Sequence, residues 1–158
     1  MTPRGRGPGV PFPPPLVFIA GFALAWFLDT RLEFLIHGAG AGPAQTALGL
    51  TLLAAGFLFM AWGLVTFVNH RTAIMPVSRA RALVRSGPYR FSRNPMYVGL
   101  TAAYIGGALV TNMAWPLVLL PLVLAALVAF VIRREEAYLQ TEFGDAYDAY
   151  RREVRRWL

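Results

Sequence analysis

From Met96 to Glu136 the chain reads MYVGLTAAYIGGALVTNMAWPLVLLPLVLAALVAFVIRREE. Two apolar runs, about Met96 to Val110 and Ala114 to Ile132, are joined by Thr111-Asn112-Met113 and closed by four consecutive charges. A helix rises about 1.5 Å per residue and a hydrocarbon core is about 30 Å thick. The second run therefore spans. The first falls short unless its flanks contribute, and it tilts, thins the bilayer or leans on its neighbour. Three connecting residues permit only a tight turn, so the two runs are expected to form an antiparallel helical hairpin. Pro116 and Pro121 are tolerable where neighbouring helices satisfy the freed carbonyls.

Two more apolar runs precede the hairpin. One covers about Leu16 to Leu28, with a continuation to Ile36 past Asp29, Arg31 and Glu33 left open; the other covers about Ala44 to Val68. The chain has 158 residues, 56% of them hydrophobic, and a mean hydropathy of +0.49. That is too apolar for a typical soluble domain of this length. The expected fold is an all-α integral membrane protein with about four transmembrane helices. A single membrane domain covers residues 1–158. Residues 1–15 form a Pro/Gly-rich cytoplasmic N-terminus, 16–69 two transmembrane helices, and 83–158 the core. Arg4, Arg6 and the run from Leu16 resemble a signal peptide, with Ala23-Leu24-Ala25 as a cleavage site. The apolar run continues through Trp26, Phe27 and Leu28, which favours an uncleaved first helix. Gly38-Ala39-Gly40-Ala41-Gly42 has no preceding strand, and Pro43 stands where a third glycine is needed, so it reads as a turn and not a nucleotide-binding loop.

The net charge is +7, and all fifteen basic residues are Arg. Arg4 and Arg6 precede the first run. Arg71, Arg79, Arg81, Arg85, Arg90 and Arg93 lie between the second and third. Arg133, Arg134, Arg151, Arg152, Arg155 and Arg156 follow the fourth. Arg31 alone falls on the other side, a split of fourteen to one. The positive-inside rule places both termini in the cytoplasm. Arginines flanking apolar runs point to a membrane surface, not to nucleic acid. With no Cys there is no disulfide or thiolate chemistry. His37 and His70 fall at opposite ends of the membrane, so no metal pair is expected.

After Ile132 the chain turns polar. Leu139, Phe143, Tyr150, Val154 and Trp157 recur at helical intervals with an interruption at Gly144. This reads as a helix leaving the membrane, a break at Phe143-Gly144 and a second amphipathic helix, with the tail resting on lipid headgroups. Asp148 and Arg152, four apart, can pair.

The hairpin makes neighbours of two polar clusters about forty residues apart: Ser86 to Gly99 at its start, and Arg133-Arg134-Glu135-Glu136 at its end. Pro95 suits a first helical turn and Asn94 an N-cap. A helix N-terminus offers N–H groups to an anion, and Arg93 adds a carboxylate clamp. Glu135 and Glu136 leave a helix about 100° apart, so at most one is expected to face a given pocket. Either takes a ribose diol or a proton, or the pair merely balances Arg133 and Arg134. Tyr89, Tyr97, Tyr138 and Tyr147 offer rings to an adenine or a sulfonium, or serve as interfacial anchors.

In these residues the chain resembles the isoprenylcysteine carboxyl methyltransferase and phospholipid methyltransferase superfamily, integral membrane enzymes that use S-adenosylmethionine. The family pattern is Gly-Pro-Tyr, then Arg-His-Pro-x-Tyr-x-Gly, a helical hairpin, Glu-Glu, and Phe-Gly-x-x-Tyr-x-x-Tyr. Here these are Gly87-Pro88-Tyr89, Arg93-Asn94-Pro95-Met96-Tyr97-Val98-Gly99, Glu135-Glu136, and Phe143-Gly144 with Tyr147 and Tyr150. The match covers about residues 83 to 157. The family often has His where this chain has Asn94, which cannot act as a base near neutral pH.

The resemblance implies a non-Rossmann methyltransferase (EC 2.1.1 class). Its core is the segment 83–158, and S-adenosylhomocysteine is its product. It places the cofactor at the cytoplasmic end of the hairpin, under the C-terminal segment. A lipophilic acceptor (an isoprenylcysteine-like carboxylate, a lipid amine or a hydrophobic thiol) enters from membrane lipid. It makes Arg93 and Glu136, or Glu135, central to catalysis. Pro88, Tyr89, Asn94, Pro95, Tyr97, Glu135, Glu136 and Tyr147 line the cofactor pocket, with no metal. The implied location is multi-pass, in a bacterial inner membrane. Two rivals are an inactive membrane accessory or scaffold of the same fold, and an NADPH-dependent membrane reductase. The short chain argues against the reductase.

Overall fold

The computed structural model describes residues 8–10, 12–38, 40–70 and 82–158. Arg4, Arg6, Arg71, Arg79 and Arg81, counted in the charge asymmetry, lie outside these residues. Among the described residues the fold is all-helical apart from one isolated antiparallel bridge, Leu35–Met113. In chain order come α1 (Pro15–Arg31), α2 (Pro43–Asn69), a 3-10 turn (Gly87–Arg90), α3 (Pro95–Thr111), α4 (Trp115–Leu127), α5 (Arg133–Phe143) and α6 (Asp145–Glu153). A π-helical turn, Val128–Ile132, joins α4 to α5 without a break. Each of α1 to α4 carries a proline in its first two positions, where the missing N–H removes no helical bond.

Two helices, Pro43–Asn69 and Trp115–Phe143, are long and apolar enough to cross a membrane; α3 is apolar but shorter. The outward faces of α1, α2 and α4 carry large apolar side chains, among them Ile19, Trp26, Phe57, Leu58 and Leu122. So much exposed apolar surface is what hydrocarbon, and not water, accommodates.

The hairpin forms as expected. Asn112 turns it in the left-handed conformation (φ 58°) and holds the surrounding loops with its side chain. Asn112 Oδ1 accepts from His37 N (3.1 Å) and Gln45 Nε2 (2.8 Å), while Nδ2 donates to the His37 carbonyl (2.8 Å). This end of the molecule also answers a point the sequence left open. The first helix stops at Arg31 instead of running on to Ile36. Asp29 Oδ1 accepts from Phe34 N, and the segment beyond pairs with the hairpin turn through Ile36 N to Asn112 O and Ala114 N to Phe34 O.

Around the hairpin, α2 packs on α3 and α1 packs on α4. Gly49 and Gly56 on α2 face Gly106 and Gly99 on α3. A Cβ on Gly56 would meet the Gly99 carbonyl oxygen at 2.5 Å, and one on Gly106 the Gly49 oxygen at 2.6 Å. The two backbones touch, as small residues allow between membrane helices. On the other side Phe18, Tyr104, Val123, Leu127, Val131 and Ile132 form a buried cluster that also takes in Val10, with Trp157 packed against it.

Two expectations about the tail are corrected. The last helix ends at Glu153, Val154 is extended, and Arg155–Trp157 do not continue the helix. Asp148 lies 3.9 Å from Arg151 and accepts from Gln140 Nε2 (2.9 Å), so its partners are not Arg152.

Candidate active site

The four sequence pieces meet at one end of the hairpin, each for a local reason. Gly87 sits at φ +59°, and a Cβ there would strike Thr66 Oγ1 at 2.5 Å. Glycine thus lets the 3-10 turn lie against the end of α2. Ser86 Oγ lies 3.2 Å from His70 Nε2, whose ring also contacts the Thr66 carbonyl through Nδ1 (2.9 Å). His70 therefore links α2 to this turn. Pro88 and Tyr89 follow, both buried. At the other end of the sequence, Gly144 takes φ +48°, which breaks α5 from α6. Residues three apart share a helix face, so α6 presents Tyr147 and Tyr150 together, and both are buried. The Tyr150 hydroxyl donates to the Tyr89 carbonyl (2.8 Å) and the Tyr147 hydroxyl receives Arg93 Nη1 (3.4 Å). Arg85 adds a bond to the Ala146 carbonyl and lies over the Tyr150 ring. Thus α6 is closed onto the loop before α3.

The charged centre lies beneath. Arg93 Nη1 is 3.1 Å from Glu136 Oε1, with side-chain exposures of 11% and 14%. Arg156 grips the same carboxylate at two points, Nε to Oε1 (3.0 Å) and Nη2 to Oε2 (2.7 Å). Glu135 faces elsewhere and accepts from the Tyr97 hydroxyl (2.7 Å) on the first turn of α3. The two glutamates thus divide between two sets of partners, as their angular separation requires. Burial raises the phenol pKa values of Tyr89, Tyr147 and Tyr150 above the ordinary range. All three remain neutral hydroxyls at physiological pH. Hydrogen bonding to Glu136 raises the pKa of Arg156 and keeps it charged.

Asn94 does not cap α3 with its side chain. Its Nδ2 donates to the Arg156 carbonyl (3.0 Å). Ser92 Oγ accepts from Asn94 N (3.0 Å) and donates to the same carbonyl (3.2 Å), and Arg93 N donates to the Arg155 carbonyl (2.9 Å). These contacts tie the extended tail to the loop entering α3. Sequence reasoning missed Ser92 and Arg156. Arg156 lies twenty residues from Glu136 and is indistinguishable from its neighbour Arg155 by type or spacing.

Among the described residues Tyr89 Oη, Arg93 Nε, Tyr104 Oη and Gln140 Oε1 are buried without a hydrogen-bond partner. Buried polar atoms left unpaired are costly. Arg93 Nε, on the side chain that meets the Glu136 carboxylate, is the donor among them that suits an anionic group.

The sequence model of the family described as phospholipid methyltransferase matches residues 44–146, more than half of the chain. The protein-S-isoprenylcysteine O-methyltransferase of Schizosaccharomyces pombe is 38% identical over 72 residues, covering 46% of this chain and 30% of that protein. An uncharacterized protein of Haemophilus influenzae is 59% identical over 29 residues, 18% of this chain and 46% of its own length. The chain thus spans less than half the length of either curated relative. No solved structure matches it.

Proposed function

The chain belongs to the phospholipid methyltransferase family, and from that premise we propose that it transfers a methyl group from S-adenosylmethionine to a lipophilic acceptor at the cytoplasmic face of a membrane. The observation that carries this reading is the meeting of Arg93 with Glu136 at 3.1 Å and of Tyr97 with Glu135 at 2.7 Å. Both join the start of α3 to the start of α5, at the end of an apolar hairpin. In this reading α1 to α4 cross the membrane as one domain with both termini cytoplasmic. Residues 16–69 face the acceptor and residues 83–158 hold the cofactor.

Bound at this end, S-adenosylmethionine supplies a methyl group on an electrophilic sulfonium. The residues align and enclose. Tyr89, Tyr97 and Tyr147, with Pro88 and Pro95, wall the pocket. Glu135, with one oxygen engaged by Tyr97, is the carboxylate that takes a hydroxyl or ammonium of the cofactor. Arg93 presents a buried N–H to an anionic group. Asn94 holds the tail that covers the site. Holding reactants in line contributes several kcal/mol to such a displacement, and excluding water strengthens every charge contact within. The acceptor arrives through lipid, where an apolar molecule concentrates.

The test is calorimetric binding of S-adenosylmethionine to the full chain in nanodiscs, followed by transfer of labelled methyl into a total lipid extract. Saturable binding and a labelled lipid product are expected. No binding, or binding of NADPH instead, refutes the proposal. Turnover unchanged in Glu135→Ala and Glu136→Ala would sink the assigned site.

A further inference from the structure

Arg93 meets Glu136 through a single nitrogen, Nη1, which also donates to the Tyr147 hydroxyl. Its Nε is buried and has no partner. A guanidinium carries its donors in a rigid fork, and carboxylates are frequently taken by two of them side by side. Glu136 is paired in that manner, but with Arg156: Nε to Oε1 at 3.0 Å and Nη2 to Oε2 at 2.7 Å. The grip is fixed through the backbone of Arg156, whose carbonyl receives both Ser92 Oγ and Asn94 Nδ2.

We infer that Arg156 is a positioning residue for the cofactor site. By holding Glu136 at two points, it keeps that carboxylate from closing side-on over Arg93. Arg93 Nε then remains available for the carboxylate of a ligand's amino-acid end. The inference rests on the S-adenosylmethionine reading above. Charge points the same way. Two arginines share one glutamate, Arg93 and Glu136 largely buried and Arg156 at 36% side-chain exposure, and the pair Arg93–Glu136 leaves the Arg93 fork only partly neutralised. Glu135 is engaged by Tyr97 instead. Without Arg156, Glu136 has one strong partner left and is expected to swing onto Arg93 side-on.

Two probes separate this role from mere docking of the tail. S-adenosylhomocysteine carries the carboxylate; 5′-methylthioadenosine shares the adenosine and thioether but lacks the amino-acid end. Binding of each to the full chain in nanodiscs is measured by calorimetry, with no acceptor present. Arg156→Gln is expected to weaken S-adenosylhomocysteine about tenfold, some 1.4 kcal/mol, and to leave methylthioadenosine within about twofold. Adding Glu136→Gln to Arg156→Gln is expected to restore most of that affinity, because a neutral amide does not capture Arg93. Unchanged S-adenosylhomocysteine binding in Arg156→Gln overturns the inference. So does equal weakening of both probes, or a double variant no better than Arg156→Gln. If the parent chain binds neither probe, the cofactor reading fails and this inference with it.

Discussion

Replacing Gly99 by Ala tests how far the site depends on the contact between α2 and α3. The added Cβ lands 2.6 Å from the Gly56 carbonyl oxygen, 2.6 Å from Met60 Cγ and 3.2 Å from Met60 N. Comfortable contact begins near 3.5 Å, so α3 must retreat from α2 by roughly 1 Å. Two of the three obstacles are backbone atoms and cannot rotate away. Overpacking of this kind costs about 1–3 kcal/mol, and Ala returns at most about 1 kcal/mol of helix propensity. The expected net loss is about 1–2 kcal/mol. The displacement also reaches the site, because Tyr97 precedes Gly99 by two residues and its bond to Glu135 is only 2.7 Å long. A shift of about 1 Å at reacting groups can cost on the order of 100-fold in rate. Thermal unfolding in detergent and methyl transfer from labelled cofactor read the two effects. Gly40→Ala is the control, since a Cβ there meets nothing within 4 Å. Gly99→Ala with the stability and turnover of the parent would show that the helices are not in backbone contact.

Three further outcomes are expected. Asn94→Ala removes one of two donors to the Arg156 carbonyl, a net loss of about 1 kcal/mol. Amide exchange at Arg93 should then quicken about fivefold, while Asn94→His, which keeps a ring donor, should quicken it less; unchanged exchange in both would show that the tail is held otherwise. Asn112→Ala loses three side-chain hydrogen bonds and leaves a Cβ at φ 58°, so it should destabilise by about 2–4 kcal/mol. Asn112→Gly, free of the conformational strain, should cost less, and equal thermal midpoints for the two would remove that term. Because the chain has no Cys, single Arg90→Cys and Gly40→Cys variants report topology cleanly. An impermeant maleimide should label them from opposite sides of sealed vesicles, and labelling from one side would refute the proposed orientation.

The elements legible in the sequence were those announced by composition. The apolar runs of α2 and α3 gave their ends to within a residue, and Thr111-Asn112-Met113 gave the hairpin. The convergence of the Arg93 segment with the Glu135-Glu136 pair followed from the hairpin, but which glutamate meets Arg93 did not. Three things were not legible. The end of α1 is decided by Asn112, more than seventy residues away, which pairs with the segment after Arg31. The π turn at Val128–Ile132 is written only in Val, Ala, Phe and Ile, which fit an α-helix equally well. One residue inserted into a helix rotates the downstream residues by about 100°, so no periodicity carried across this turn aims Glu135 and Glu136 correctly. The tail was the third. An amphipathic pattern says that a segment has an apolar face, not what covers it. The carbonyls of Arg155 and Arg156 are held by a backbone donor and side chains that precede them by about sixty residues.

One-sided arginine thus carries two meanings that burial separates. Arg90 and Arg93 stand three residues apart on the same side of the hairpin, and the positive-inside count treats them alike. Arg90 is exposed, ending the 3-10 turn, where water or lipid phosphate solvates it. Arg93 is 11% exposed, and its charge is met by Glu136. An orienting charge needs solvent and tolerates many positions. A charge that holds a ligand needs a carboxylate to keep it in place, a second cation to keep that carboxylate from saturating it, and a donor left over. Arg156, Glu136 and the unpaired Nε of Arg93 meet those three needs together. The tail that read as a surface anchor is docked on the loop before α3, and under the proposed function it is the element that turns Arg93 from a topology signal into a binding group.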